Sequence, residues 1–405
     1  MSVATSSLPP LAPVPGDPAS AGLAAARFTL DGDAALEAHL ATVCEHVRAG
    51  VERLVPARRL EGILLGGGYG RGEGGVLATP QGDRAYNDLE FYVLLRGITV
   101  RNDWRYRDRL DVLAHTLSEP AGVEVEFKII SSASLRRGPV TMFSYDLVSG
   151  HRQLNGPSYL LAGTERHRRS EKIPLAEATR LLLNRCTGLL FARQRLARHP
   201  FTAEDADFVE RNLAKAKLAL GDAVLTALGR YHWSCRERAD RLATLNPGDG
   251  ATWLESVRAA HAAGTAFKLR PFRTDRAASG LETELVQVLP LAREVWLWLE
   301  RRRLGREFHS PVEYALDPAT KCPDTSALHN WLVTGRRLGV GELRHRRALR
   351  YPRERLLRAL PVLLWQKGML ADMRVRRSLQ QQLRTPAEDE AAFVAAYTRL
   401  WQFFR

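Results

Sequence analysis

Two carboxylates one residue apart, Asp88 and Glu90, open the apolar run DLEFYVLL, and a glycine-rich run, Gly66-Gly67-Gly68-Tyr69-Gly70-Arg71-Gly72-Glu73, lies upstream behind Ile63-Leu64-Leu65. On a strand, acids at i and i+2 point to one face of the sheet. Glycines allow close backbone approach to phosphate oxygens, and amides at a helix start favour anions. A second alternating pair, Glu124 and Glu126, follows in GVEVEFKII. Oxygen-rich carboxylate sites suit Mg²⁺, so the residue types together point to metal-assisted phosphoryl chemistry.

Strand, glycine pair opening a helix, then a strand carrying acid-apolar-acid resembles the signature of the DNA polymerase beta-like nucleotidyltransferase superfamily. Gly67 and Gly68 match the glycine pair, Arg71 and Gly72 the Arg-Gly after it, and Asp88 and Glu90 the acids. The resemblance covers roughly residues 60 to 155 closely and the helical remainder only in architecture. It implies transfer of a nucleoside monophosphate from a nucleoside triphosphate such as ATP to an acceptor hydroxyl, with release of pyrophosphate. Mg²⁺ or Mn²⁺ would be held by Asp88, Glu90 and a third acid. For that acid Glu124, in apolar-acid-apolar context at the strand start, is preferred over Glu126. The third acid would orient or deprotonate the acceptor, Gly67 and Gly68 would cradle the terminal phosphates, and Arg71 would neutralise developing charge or anchor the helix.

The family often draws further cations from a following helix, which makes Asn184, Arg185 and Lys215 candidates, with Asp222 on the face of Lys215 and Tyr231 just beyond. An ordinary salt-bridged helix surface explains the same residues. The site is then expected as a cleft between two domains. The acceptor stays open between a small molecule, a protein side chain and an RNA end. A non-catalytic nucleotide sensor or antitoxin-like protein, and an RNA-modifying transferase, are the alternatives on the same fold. Gly70-x-Gly72-x-x-Gly75 formally fits a dinucleotide site, but there the acid ends its strand, whereas Asp88 and Glu90 begin theirs. A kinase loop lacks its downstream partners V-A-I-K and H-R-D.

The elements that must hold these residues follow from periodicity. Leu36, Leu40, Val43, Val47, Val51 and Leu54 predict an amphipathic helix over Asp31 to Val55. Strands are expected at Ile63 to Leu65, Leu89 to Leu95 and Val123 to Ile130, with a helix at Asn102 to Leu117. Two more, at Thr141 to Val148 and His151 to Leu154, would be joined by the Ser149-Gly150 turn. The segment between the glycine run and Asp88 reads as a polar loop. Long amphipathic stretches then take over: Leu175 to Arg198, Ala203 to Leu228, Trp233 to Leu245, Ala251 to Ala266, Leu281 to Arg303 with a kink at Pro290, Ser326 to Leu338, Arg353 to Arg377 and Glu388 to Phe404. The fold class is α+β: a mixed-sheet domain over 25–157, then an all-α bundle over 158–405 with a possible break near 245–280. Residues 1–24, rich in Pro, Ala and Ser, read as a disordered tail rather than a signal peptide.

Lys and Arg outnumber Asp and Glu by 59 to 45, a net charge of +14, which favours polyanionic partners unless it is scattered over solvated helix faces. The run from Arg336 to Arg358 could hold an acidic acceptor such as RNA, or form a solvated face or domain seam; beyond Tyr351 it lacks aromatics for base stacking. Trp296 and Trp298 cannot share a helix face, and core packing is favoured over a stacking platform. Cys44, Cys186, Cys235 and Cys322 show no C-x-x-C spacing, which argues for free thiols in a reducing cytoplasm. No apolar stretch is long enough for a bilayer.

Overall fold

The computed structural model of the chain describes residues 27–245 and 251–404. The expected tail at 1–24 lies outside them, as does 246–250 within the expected break. The chain forms two compact units, the first running to Ile173 and including Gly229–Asp240 and Thr265–Phe272 as well.

The first unit begins with α1 (Ala34–Leu54), started by Asp33, whose carboxylate accepts from the Leu36 amide. There follow β1 (Leu60–Leu65), the single turn α2 (Gly67–Gly70), β2 (Val76–Thr79), β3 (Gly82–Ala85), β4 (Leu89–Leu95), α3 (Thr99–Ala121), β5 (Val125–Ile130), α4 (Ser132–Arg137), α5 (Met142–Ser149) and β6 (Arg152–Asn155). The main sheet has the order β5-β4-β1-β6; β1 is antiparallel to β4 and β6, while β4 and β5 are parallel, joined through α3 as a parallel pair requires. It is the expected mixed sheet. Alternation sorts its faces: Leu89, Phe91, Val93 and Leu95 of β4 enter the core with the apolar stripes of α1 and α3, while Tyr92 and Leu94 join Leu64, Leu147 and Leu160 on the other side.

Two local expectations are corrected. Thr141 to Val148 is not a strand. Thr141 Oγ1 accepts from the Ser144 amide at 3.0 Å while Ser144 Oγ accepts from the Thr141 amide at 2.9 Å, a reciprocal cap that starts α5 and outweighs the strand-favouring composition. The polar loop ahead of Asp88 is a two-stranded hairpin, β2 with β3. The strand expected at His151 to Leu154 is present as β6.

The second unit is all-helical in its described residues. Its core gathers α6 (Leu175–Leu196), α7 (Ala203–Ala227) and the helices Ala278–Leu304 and Glu354–Trp365 around Leu189, Leu213, Leu220, Trp296 and Leu360. The helix expected at Arg353 to Arg377 is broken: it ends at Trp365, a 3₁₀ turn covers Lys367–Ala371, and Asp372 caps a new helix, Met373–Leu383. Gly368 lies in that turn, where helix propensity is weakest. Trp296 is fully buried, and Trp298 packs edge-on against Trp253 at 5.4 Å, so both tryptophans serve packing. Among the described residues no helix is long and apolar enough to cross a membrane.

Candidate metal centre

The parallel register of β4 and β5 sets Glu90 directly beside Glu126, and Asp88 stands one residue before β4. One carboxylate oxygen each from Asp88, Glu90 and Glu126 lies within 4.8 Å of the others. Glu124 is not among them. It precedes β5, its carbonyl accepts from the Leu89 amide at 2.8 Å, and its side chain is exposed. Both glutamates have the right alternation, but only Glu126 lies level with Glu90, so the preference for Glu124 as third acid is corrected.

These acids hold an electrostatic imbalance. Lys128, two residues after Glu126 and on the same face, puts Nζ 3.4 Å from Glu90 and 3.1 Å from Glu126, over the Tyr92 ring. Burial alone would lower the Lys128 pKa, but Glu90 and Glu126 outweigh it and raise it. The Tyr92 hydroxyl donates to Glu90 at 2.8 Å. Burial, then the negative Glu90, push the Asp88 pKa up, and among the described residues no Lys or Arg pairs with it. Three converging oxygen donors with a shortfall of positive charge fit a hard divalent cation such as Mg²⁺ or Mn²⁺.

The glycine turn backs onto this cluster. The Gly66 amide donates to the Glu90 carbonyl at 2.9 Å. Gly67 has φ +61°, and a Cβ there would stand 3.7 Å from Glu90 Oε2, so the left-handed residue brings the turn's backbone against the acid. At Gly68 a Cβ would meet the Glu73 carbonyl at 2.8 Å. The buried Tyr69 hydroxyl donates to the Gly75 carbonyl at 2.8 Å and accepts from the Tyr86 amide at 2.9 Å, tying the turn to the residues leading into Asp88. Burial pushes the Tyr69 pKa up to about 12, so its hydroxyl stays protonated for this bond.

Beside the turn, Arg71 lies 3.7 Å from Asp146, which also accepts from the Tyr231 hydroxyl at 3.2 Å. Burial raises the Asp146 pKa, opposed by Arg71, Arg238 and Lys268. Lys268 has its own pKa lowered by burial and then by repulsion from Arg71. The cations around Arg71 thus come from the returning segments Gly229–Asp240 and Thr265–Phe272. Asn184, Arg185 and Lys215, expected to serve this purpose, belong to the second unit. Asn184 and Lys215 are exposed, and burial lowers the Arg185 pKa against the pull of Asp222. Asp222 is buried and bonded to His261 at 3.0 Å. Tyr231 falls in the first unit instead.

Glu73 holds one returning segment. Its buried carboxylate accepts from Ser234 Oγ and, at 2.8 Å, from the Cys235 amide, at the start of the helix Cys235–Ala243. Burial pushes its pKa up, but these bonds prevail and lower it below 4.5. A carboxyl depressed in the folded state stabilises above its unfolded pKa and loses that stabilisation as pH falls through the folded value. Glu73→Gln therefore costs about 1–3 kcal/mol near pH 7 and progressively less in acid. Urea melts of both proteins across pH check this; a gap that widens in acid contradicts it.

Tyr92 and Lys128 follow Glu90 and Glu126 at the alternation that marks the acids themselves. Glu73 and Lys268 carry no such signal. Comparison with protein-family models, curated proteins and solved structures finds no match to this chain.

Proposed function

We propose that the chain is a metal-dependent nucleotidyltransferase that moves a nucleoside monophosphate from a nucleoside triphosphate to an acceptor hydroxyl. The observation that carries this reading is the convergence of Asp88, Glu90 and Glu126 against the turn at Gly67-Gly68. The α+β first unit with its mixed sheet supports a nucleotidyltransferase domain, and the four free cysteines support a cytoplasmic setting. Asp88, Glu90 and Glu126 would hold Mg²⁺ or Mn²⁺, which when bound would supply Lewis-acid stabilisation of the phosphoryl oxygens. Glu126 orients the acceptor hydroxyl and takes its proton as the oxygen attacks the α-phosphorus. Backbone amides at Gly67 and Gly68 position the terminal phosphates, and Arg71 with Lys268 offsets the charge that develops on departing pyrophosphate.

Lys128 favours a second reading, a nucleotide sensor. Its ammonium already bridges two of the three acids, as a cation in place of a metal would. Pyrophosphate release with each nucleoside triphosphate, Mg²⁺ or Mn²⁺ and a panel of small-molecule, protein and RNA acceptors separates the two. The transferase reading expects release with at least one acceptor and a loss of about 10²–10³-fold in Asp88→Asn. Nucleotide binding without release over the whole panel supports the sensor, and full activity in Asp88→Asn removes that residue from the site.

A further inference from the structure

The second unit contains a cavity of about 530 Å³ lined by seven arginines but only two glutamates. The carboxylates are already shared. Glu354 pairs with Arg350 at 3.1 Å and Arg358 at 2.8 Å, and Glu342 pairs with Arg355 at 3.2 Å and Arg384 at 2.6 Å. Arg347 donates to the neutral amide oxygen of Gln381 at 2.6 Å. Among the described residues Arg347, Arg374 and Arg377 meet no carboxylate within 4.0 Å. Partial desolvation, then repulsion from Arg358, Arg350 and Arg384, lowers the Arg347 pKa, a sign that guanidinium groups crowd one space. The Arg336 to Arg358 run supplies only part of this set; Arg374, Arg377 and Arg384 arrive from Met373–Leu383 and its C-cap.

We propose that this cavity binds a small, multiply phosphorylated anion through Arg347, Arg374 and Arg377. Guanidinium forks match phosphate oxygens in pairs, and three of them without carboxylate partners offer the positive charge that the two glutamates leave uncompensated. The volume suits a small molecule, and Tyr351 is the single aromatic side chain in the lining, so the stacking row a nucleic-acid strand needs is missing. The site is built wholly from the second unit and uses none of the residues assigned to nucleotidyl transfer.

Calorimetric titration of the full chain with inorganic tripolyphosphate tests this, in excess EDTA at about 0.15 M salt. Without divalent ions the Asp88, Glu90 and Glu126 carboxylates repel the probe, so binding at the metal centre does not contribute. The expected result is saturable binding at one site. It weakens roughly tenfold for each of Arg347→Ala, Arg374→Ala and Arg377→Ala, with thermal melts unchanged for Arg374→Ala and Arg377→Ala and little lowered for Arg347→Ala, which also loses its bond to Gln381, because all three residues are exposed. Absence of binding overturns the proposal. So does affinity unchanged in the Arg374→Ala/Arg377→Ala pair, or tight binding of an RNA strand that tripolyphosphate does not displace.

Discussion

Glu126→Gln is expected to lower divalent-ion affinity and nucleotidyl transfer by about 10²–10³-fold, whereas Glu124→Gln leaves both within about twofold. The contrast follows from strand register. Glu90 and Glu126 are direct partners across the parallel β4–β5 pair, and of the two glutamates in GVEVEFKII only Glu126 has an oxygen within 4.8 Å of those of Asp88 and Glu90. Glutamine keeps the volume and hydrogen-bonding reach of glutamate but not its charge, so the strand and its pairing survive while a ligand for a hard cation is lost. Glu124, exposed and ahead of the strand, loses only a surface charge. Mn²⁺ binding followed by electron paramagnetic resonance reads the first effect and pyrophosphate release the second. Equal losses in both variants, or the larger loss in Glu124→Gln, would place the third ligand elsewhere. If metal affinity falls but no release is seen in the parent protein, the centre stands and the transferase reading does not.

That contrast also marks where periodicity stops being informative. Alternation announced the face shared by Asp88 and Glu90, and the helical spacing of Leu36 through Leu54 announced α1, because each signal lies within one element. The choice between Glu124 and Glu126 does not: both have the same parity, and only pairing with a neighbouring strand separates them. At Thr141 the competing signals were both local. Tyr and Phe favour a strand, and the reciprocal cap with Ser144 favours a helix; the cap satisfies backbone donors that a short strand would have left for another partner. Lys268 and Arg238 were not legible, because the chain leaves the first unit at Ile173 and returns twice, bringing cations to Arg71 from distant parts of the sequence. Asn184 and Arg185 of α6 and Lys215 of α7 have suitable chemistry and follow soon in sequence, yet sequence adjacency does not place them in the same unit. The arginine cavity repeats the point, since Arg347 and Arg377 gather only after the break at Lys367–Ala371 turns the chain.

Lys128→Met is expected to change the metal-free and metal-bound proteins in opposite directions. Without a divalent ion, the ammonium is the counter-charge for both Glu90 and Glu126, at 3.4 and 3.1 Å. Removing it leaves three carboxylates facing one another, so the EDTA-treated variant melts at a lower temperature than the parent. The Lys128 pKa is raised in the folded state, so its contribution is complete below the unfolded value near 10.5 and disappears only as pH rises through the folded one. The difference between variant and parent therefore persists across neutral pH and closes in strong alkali. With Mg²⁺ or Mn²⁺ present, the ammonium competes for the same oxygens. Methionine retains most of the aliphatic stem against Tyr92 and removes the competitor, which raises divalent affinity by roughly tenfold, a modest figure because the site is partly solvated and the charges are screened. Saturating Mn²⁺ should then stabilise the variant more than the parent, since binding to the folded state adds stability in proportion to the logarithm of affinity. Thermal melts with EDTA and along a Mn²⁺ series read both effects on one sample. A variant that binds Mn²⁺ more weakly than the parent would show that Lys128 holds Glu90 and Glu126 in their binding positions and does not stand in for the metal.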